Sequence, residues 1–520
     1  MHALAAAAPL LTLLVLLGVV RMRSHWAGLI ALGLGLALGT TMFGLPLHEA
    51  LSGAAEGAAF GLFPIVWIIL NAVWINKLQH ATRYFDVVGR TFSSVSGDRR
   101  IQALLVAYCF GAMVESISGF GTPIAVTSVI LVTLGLSPMR AAVVALFANT
   151  APAAFGSLGN PIQGLAKVTS FPESLLGEMA GRQSAIIAAL VPFALLLLLD
   201  GRRGLRELWP AALTAGLGFA AGQLLCSNLL TYQLTDLSAA VVSTLALVVL
   251  LHFWKPLRTA GDSCNDAPPQ RDSRHDIVVA FSPYAILVGL FAITAFVGPV
   301  QRAVANVGFS FTWPGLRLDD RSGRPLPITV FDFQWLSSSG TILLITGIAT
   351  ACILGVSARR ALGCYGLALK QIRWAIVSIS VVLALSYVMN ISGMAHDLGV
   401  WAAGTGSAFA LLSGALGWFG VALTGSDTSS NVLFGAMQVA AAHRAGLSPL
   451  LMAAANSSGG MQGKAVAMQN LVLGTTAVGL DGREGDILRR VLWWSVSLLL
   501  VVCVLAWLQT NALSWMVPRP

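Results

Sequence analysis

Long apolar runs separated by short polar loops recur along the whole chain. A helix of about 20 apolar residues crosses the roughly 30 Å hydrocarbon core of a bilayer, so each run predicts a membrane-spanning helix. Segments 101–136 and 401–445 are each either a re-entrant hairpin or two full crossings. The pattern predicts an all-α polytopic membrane protein with about 12–14 transmembrane helices. Candidate spans lie near residues 4–20, 26–45, 57–75, 101–117, 119–136, 140–160, 183–200, 208–226, 237–254, 278–297, 340–356, 374–393, 401–423, 427–445, 449–473 and 491–510.

One stretch occurs twice, at residues 111–164 and again at 417–469. Each copy has a turn of small polar residues, an apolar run, the sequence Gly-Leu-Ser-Pro, and then Ala-Asn followed by a hydroxyl residue. When every span is counted, the two copies are entered from opposite sides of the membrane. Inverted repeats with broken helices are typical of secondary transporters, so we expect this architecture here.

This organisation divides the chain into consecutive regions. The two copies form the cores of repeat 1 and repeat 2, each with a hairpin and a broken helix. The predicted regions are N-terminal transmembrane helices (1–100), repeat 1 (101–200), connecting helices (201–297) with a cytoplasmic linker (255–276), an outer loop (298–340), further connecting helices (341–400) and repeat 2 (401–510). For the outer loop we favour an irregular excursion over an ordered cap.

The composition excludes a set of soluble domains, because 56% of the 520 residues are hydrophobic, 10% are charged and the mean hydropathy is +0.79. The net charge of +9 does not indicate a nucleic-acid partner. Most Lys and Arg residues lie in alternate loops, which is the positive-inside pattern of a membrane protein. We therefore expect an inner-membrane protein of bacteria with the basic loops in the cytoplasm and both termini in the periplasm.

Several kinds of chemistry have no sequence support. The six cysteines are scattered without a Cys-x-x-Cys pair or a histidine cluster, so neither a disulfide framework nor a metal site is expected. The chain also lacks a phosphate-binding Gly-x-x-x-x-Gly-Lys-Ser/Thr motif. We expect no cofactor and no enzymatic activity, since an intramembrane enzyme or a proton-pumping subunit needs more buried ionisable residues. Any coupling must use an ion gradient or another subunit.

Four stretches in the two copies are rich in Gly, Ser, Thr, Asn and Pro: 116–123, 149–159, 424–431 and 456–463. Non-helical backbone at membrane depth is tolerated only where it is buried in protein or lines an aqueous cavity. Free N–H groups at helix breaks, with nearby hydroxyls and amides, bind anions such as carboxylates. The alternative is that small residues only allow close helix packing. The candidate binding residues are Ser118, Gly119, Gly121, Thr122, Asn149, Thr150, Thr424, Ser426, Thr428, Ser429, Asn456 and Ser457.

Three ionisable residues lie in these regions, where each is costly to hold in a membrane and is a functional candidate. Glu115 precedes the first turn, Asp427 lies in the second, and Lys464 follows the second Asn-Ser stretch. Either acid is a candidate proton carrier, because a medium of low dielectric disfavours the charged carboxylate. Lys464 is a candidate partner for a substrate carboxylate or for one of the acids. The alternative is an ion pair that serves helix packing alone. By contrast, we expect Glu49 and Glu56 near the third span to be interfacial.

At these residues the sequence resembles the bacterial lactate permease family over essentially its whole length. The second turn, Thr-Gly-Ser-Asp-Thr-Ser-Ser-Asn, is the most specific match. The Asn-Thr and Asn-Ser stretches also resemble carboxylate-binding elements of the wider ion transporter superfamily. The matching pieces are ESISGFGTP (115–123), ANTAPAAFGSLGNPI (148–162), YVMNISGM (387–394), TGSDTSSNVLFG (424–435) and AANSSGGMQGK (454–464).

The resemblance implies uptake of L-lactate, and also of D-lactate and glycolate, by symport with protons across the bacterial inner membrane. The expected partners are a small carboxylate, a proton and the lipid bilayer, with no nucleic acid. A sodium-coupled carboxylate transporter is the alternative, because unwound backbone carbonyls and hydroxyls also coordinate sodium. The sequence leaves the preferred hydroxy acid, the stoichiometry and the oligomeric state open.

Overall fold

A computed structural model of the chain describes residues 2–20, 22–82, 84–119, 121–254, 272–305, 307–316 and 327–518. These residues are almost entirely helical, as the apolar pattern predicts. The helices of the first half are α1 (His2–Gly18), α2 (Ser24–Thr41), α3 (Leu47–Phe60), α4 (Trp67–His80), α5 (Tyr84–Ser93), α6 (Arg99–Leu104), α7 (Gly111–Ile117), α8 (Thr122–Thr133), α9 (Pro138–Ala148), α10 (Gly156–Thr169), α11 (Glu173–Leu225) and α12 (Thr235–Phe253). Those of the second half are α13 (Arg274–Phe296), α14 (Gly298–Ala305), α15 (Ser339–Ile353), α16 (Ala358–Ile391), α17 (Met394–Ala402), α18 (Phe409–Thr424), α19 (Asp427–Ala445), α20 (Pro449–Gly463), α21 (Met468–Ala477) and α22 (Glu484–Gln509).

Short turns of other helix types join some of these elements. The π-helical turns Gly61–Val66 and Leu105–Phe110 connect α3 to α4 and α6 to α7. Within the described residues, eight helical segments are long and apolar enough to cross a membrane, with four shorter apolar helices beside them. One of the eight, Glu173–Leu230, contains a break at Asp200 and Gly201. It therefore comprises two helices, in agreement with the separate spans predicted near 183–200 and 208–226.

Apolar side chains also cover much of the outer surface of the molecule. Leu4, Val249 and Trp493 are large hydrophobic residues that are more than half exposed. Exposed large apolar residues on such long apolar helices indicate contact with lipid. The fold is therefore that of a multi-pass membrane protein.

Two helical hairpins and two interrupted helices lie at the centre of the fold. The first hairpin has α7 and α8 as its arms, and α18 and α19 form the second. The α8 arm is about 18 Å long, shorter than the hydrocarbon core of about 30 Å. This length favours a re-entrant hairpin for segment 101–136, which stays a prediction. The first interrupted helix is α9 and α10, and the second is α20 and α21.

The first interruption lies where the sequence predicts it and the second does not. The chain leaves α9 at Asn149, and Ser157, Leu158 and Gly159 have left-handed backbone angles, with φ of 49°, 57° and 76°. The predicted break at 456–463 is wrong, because α20 continues without interruption to Gly463 and the chain leaves the helix at 464–467. Glycines in α20 instead allow close helix packing: Gly459 lies against the backbone of Gly414 in α18.

The outer loop is more ordered than expected. It contains α14 and an antiparallel β-hairpin, β1 (Phe309–Thr312) with β2 (Val330–Phe333), in which Phe309 pairs with Phe333. Aromatic side chains at alternate positions stack across this hairpin, and Phe63 packs on Phe333 with ring centroids 4.7 Å apart. The expectation of an irregular excursion is therefore wrong for the part of the loop that the structure describes. Most of the predicted linker 255–276 lies outside the described residues, and α13 begins at Arg274.

Candidate functional site

The tips of the two hairpins meet the two interrupted helices in the interior of the molecule. Gly119, in the first tip, lies against the Ser157 side chain, and Gly121 lies against Asn470 of α21. Gly425, in the second tip, packs on Gln469 of α21. These contacts bring both copies of the repeated stretch to one place, as the resemblance between their small-residue turns suggests.

A cavity of about 50 Å³ lies between these elements. A cavity of this size has room for a few water molecules, and its polar lining can hold them or a small polar solute. Three isoleucines form an apolar wall facing the polar residues of the two copies. Ile65 lies in the turn before α4, Ile69 lies in α4 and Ile379 lies in α16. The cavity is lined by Ile65, Ile69, Glu115, Ala153, Gly156, Ser157, Asn160, Pro161, Ile379, Gly425, Ser426, Asp427, Thr428 and Lys464.

A buried ion pair joins the two copies at this cavity. The Lys464 ammonium at the end of α20 donates a hydrogen bond to Glu115 Oε1. The other oxygen, Glu115 Oε2, accepts a hydrogen bond of 3.0 Å from Asn149 Nδ2. The side chains of Lys464 and Glu115 are only 9% and 3% exposed. Because an ammonium carries three donors, Lys464 has further N–H groups for a second acceptor.

Asp427 is the second acid of the cavity and begins α19. Its Oδ2 accepts a hydrogen bond of 2.7 Å from the Ser457 hydroxyl, whereas Oδ1 is buried and has no hydrogen-bond partner within the described residues. Ser426 caps the same helix, since its Oγ accepts from the Ser429 N–H at 3.2 Å. The carboxyl group of Asp427 thus sits at a helix N-terminus, where the helix dipole stabilises negative charge.

The predicted site residues fall into two groups. Glu115, Ser426, Asp427, Thr428 and Lys464 line the cavity directly. The others do not line it. This second group consists of Ser118, Gly119, Gly121, Thr122, Asn149, Thr150, Thr424, Ser429, Asn456 and Ser457.

Three members of the second group make hydrogen bonds that indicate their roles. Asn149 and Ser457 hydrogen-bond the two carboxyl groups. The Asn456 amide donates to Asn431 at 2.9 Å and accepts from Gln438 at 3.0 Å, so it ties α20 to α19. Asn149 and Ser457 therefore position the two carboxyl groups of the cavity.

Four further buried polar residues were not among the predicted site residues. Ser157 and Asn160 line the cavity, the latter immediately after the predicted break. Asp236 is fully buried at the start of α12, with the Gln223 amide 3.4 Å from its Oδ1. Glu56 is fully buried and not interfacial, because Gly57 lets α3 pack against the backbone of Leu383. A lone acid within an apolar run was the signal available for Asp236 and Glu56.

The fold and this site define a multi-pass α-helical membrane transport protein, with two hairpins and two interrupted helices around a small charged cavity. Residues 2–513 match the model of the L-lactate permease family. The chain therefore belongs to the L-lactate permease family.

Relatives with assigned names are similar over almost the whole chain. L-lactate permease of Bacillus subtilis is 36% identical over 550 residues, which cover 100% of this chain and 97% of that permease. Glycolate permease GlcA of Escherichia coli is 38% identical over 543 residues, covering 99% and 97%. Among solved structures, the antimetabolite efflux pump MtrF of Neisseria gonorrhoeae is 13% identical with a TM-score of 0.49, covering 95% of this chain and 96% of that chain.

Proposed function

We propose that this protein is a secondary active transporter that carries L-lactate, D-lactate, glycolate and related small 2-hydroxy monocarboxylates together with a proton. Membership of the L-lactate permease family and similarity to lactate and glycolate permeases support the substrate class. The observation that carries the mechanism is the presence of Lys464, Glu115 and Asp427 around one small cavity.

In this mechanism Lys464 binds the substrate carboxylate through N–H groups that Glu115 does not occupy. Glu115 accepts hydrogen bonds from Lys464 and Asn149. The hydroxyls of Ser157, Ser426 and Thr428 line the same cavity and supply further donors. Asn149 and Ser457 act by holding the two acids.

We assign the coupled proton to Asp427. Its Oδ1 is buried without a hydrogen-bond partner among the described residues, and burying a charged oxygen that makes no hydrogen bond is costly. In the empty site, Lys464 and Glu115 neutralise each other and Asp427 contributes one negative charge. When a proton neutralises Asp427 and a monocarboxylate anion binds, the net charge of the cavity is unchanged. Transport at one proton per anion is then electroneutral.

Alternating access requires the cavity to open to each side of the membrane in turn. The two hairpins and two interrupted helices supply its polar wall, whereas Ile65, Ile69 and Ile379 of other elements supply the apolar wall. We propose that the polar elements move against this apolar wall, because isoleucine side chains form no hydrogen bonds that would have to break. The termini face the periplasm in this arrangement, with the basic loops in the cytoplasm.

The test is uptake of labelled L-lactate into proteoliposomes under an imposed inward proton gradient. Wild-type protein should accumulate lactate, and replacement of sodium by choline should not change the rate. Asp427→Asn should lose gradient-driven accumulation but retain exchange of internal for external lactate, since exchange moves no net proton. Asp481→Asn is the matched control, because Asp481 is exposed in a loop.

Two results would contradict the proposal. Accumulation at the wild-type level by Asp427→Asn would remove this residue from proton coupling. Uptake that depends on sodium and not on the proton gradient would show that sodium, and not the proton, is the coupling ion.

A further inference from the structure

Asn160 presents an unusual polar group to the cavity. Its side chain is 2% exposed, and neither its amide oxygen nor its amide nitrogen has a hydrogen-bond partner among the described residues. A buried amide that makes no hydrogen bond loses the interactions that water gave it in the unfolded chain. The missing hydrogen bonds of the Asn160 amide would therefore be made by a bound ligand.

The local backbone explains how Asn160 reaches this position. Ser157, Leu158 and Gly159 have left-handed backbone angles, and Asn160 is the first residue after them in α10. Its neighbour Pro161 has no N–H, and the Pro161 carbonyl is already bonded by Asn431 Nδ2 at 3.0 Å. The lining of the same cavity also includes the apolar residues Ala153 and Ile65.

The chemistry of an amide matches that of an alcohol. The amide oxygen accepts a hydrogen bond and the NH₂ group donates, whereas a hydroxyl can do both at once. In a 2-hydroxy acid the hydroxyl lies on the carbon next to the carboxylate. One small cavity can therefore place the carboxylate on Lys464 and the hydroxyl on Asn160.

We propose that Asn160 binds the 2-hydroxyl group of the substrate and selects 2-hydroxy acids over carboxylic acids that lack it. The inference rests on the proposed function and adds the residue that determines specificity. A binding site built to hydrogen-bond a hydroxyl rejects the analogue without it, because the polar group of the protein is then left buried and unpaired. Pyruvate, whose keto oxygen only accepts, should rank between lactate and propionate.

The experiment measures how well unlabelled propionate, pyruvate and lactate compete with labelled L-lactate uptake in proteoliposomes. Asn160→Leu keeps the branched shape and removes both polar atoms. It should reduce the preference for lactate over propionate by about 10- to 100-fold. Gln163→Leu is the matched control, because Gln163 is another buried amide of α10 but hydrogen-bonds Tyr232 and lines a separate cavity. This control should keep the wild-type preference.

Each outcome has a distinct meaning. Wild-type protein that carries no lactate contradicts the proposed function itself. Wild-type protein that carries lactate but is inhibited equally by propionate overturns the inference, as does an Asn160→Leu variant with the wild-type preference. If Asn160→Leu is not recovered as folded protein, Asn160→Ala removes the amide without adding volume and gives the same readout.

Discussion

At the scale of single residues, the buried pair of Lys464 and Glu115 dominates the electrostatics of the site. Two opposite charges that are this deeply buried lose their hydration, and their mutual attraction roughly offsets that loss. The balance holds only while both partners are present. A change to one of them leaves the other charge buried without compensation.

We therefore predict that Glu115→Gln and Lys464→Met each destabilise the protein by about 3–5 kcal/mol. The double variant should recover most of this stability, because no unpaired charge remains, yet it should not transport lactate. Thermal unfolding of purified protein in detergent measures the first effect and proteoliposome uptake the second. Arg483→Gln is the control: its ion pair with Asp486 is exposed, so the loss should stay below about 1 kcal/mol. Equal stability of single and double variants would contradict the argument.

The sequence alone identified the three charged residues of the cavity, because any ionisable residue in an apolar run is conspicuous. It could not decide which acid Lys464 contacts, since Glu115 and Asp427 occupy related places in the two copies. The sequence also could not predict the burial of Glu56, because this burial depends on the approach of α3 to Leu383 in a distant part of the chain.

At the scale of helices, glycines set how closely the second hairpin packs on the second interrupted helix. A β-carbon on Gly417 of α18 would overlap the backbone carbonyl oxygen of Asn456 in α20. The backbone of Asn456 can approach α18 this closely only because Gly417 has no side chain. The same contact helps to fix the Asn456 amide between Asn431 and Gln438.

Gly417→Ala should therefore force the two helices apart and destabilise the protein by about 1–3 kcal/mol. It should also slow lactate uptake, since Ser457 and Lys464 lie further along the displaced helix. Gly363→Ala in α16 is the matched control, because nothing lies within 4 Å of the added carbon. The control should be neutral or more stable, as alanine favours a helix over glycine. A melting temperature for Gly417→Ala equal to that of the control would contradict this account.

The same packing explains why one break could be predicted and the other could not. In both copies a run of Asn, Ser and Gly has low helix propensity, so the sequence predicts a break in each. In the first copy the chain does leave the helix, and Ser157 and Leu158 adopt backbone angles that no local pattern requires. In the second copy, contacts of Gly459 and Gly463 with α18 hold the segment helical. Tertiary packing, which the local sequence does not contain, decided between the two.

At the scale of the whole molecule, the class of fold follows from hydropathy because lipid requires every backbone polar group to be bonded internally. The opposite orientation of the two copies remains a prediction from the counted spans and the charge of the loops. The paired strands of the outer loop were missed because four-residue strands carry a weak signal beside long helices. Their alternating aromatic residues, from Phe309 to Trp313, were the available indication.

The predicted orientation is testable in a variant whose six native cysteines are replaced. Asn511→Cys, near the end of the described chain, should react with a membrane-impermeant maleimide added to intact cells. Arg359→Cys, in a basic loop assigned to the cytoplasm, should react only after the cells are permeabilised. Both original side chains are exposed, so the two sites differ in sidedness and not in burial. The reverse labelling pattern would show that the protein has the opposite orientation in the membrane.

The ion pair between Lys464 and Glu115 also bears on the ancestry of the chain. Each copy of the repeated stretch contributes one member of the pair, the acid from the first and the base from the second. The two residues do not occupy equivalent places, because the Ala-Asn stretches of the two copies align Lys464 with Ser157, and residues 111–164 contain no lysine. Copying the first stretch over the second would therefore remove Lys464 and leave the Glu115 carboxylate without its partner, so the two copies are not interchangeable.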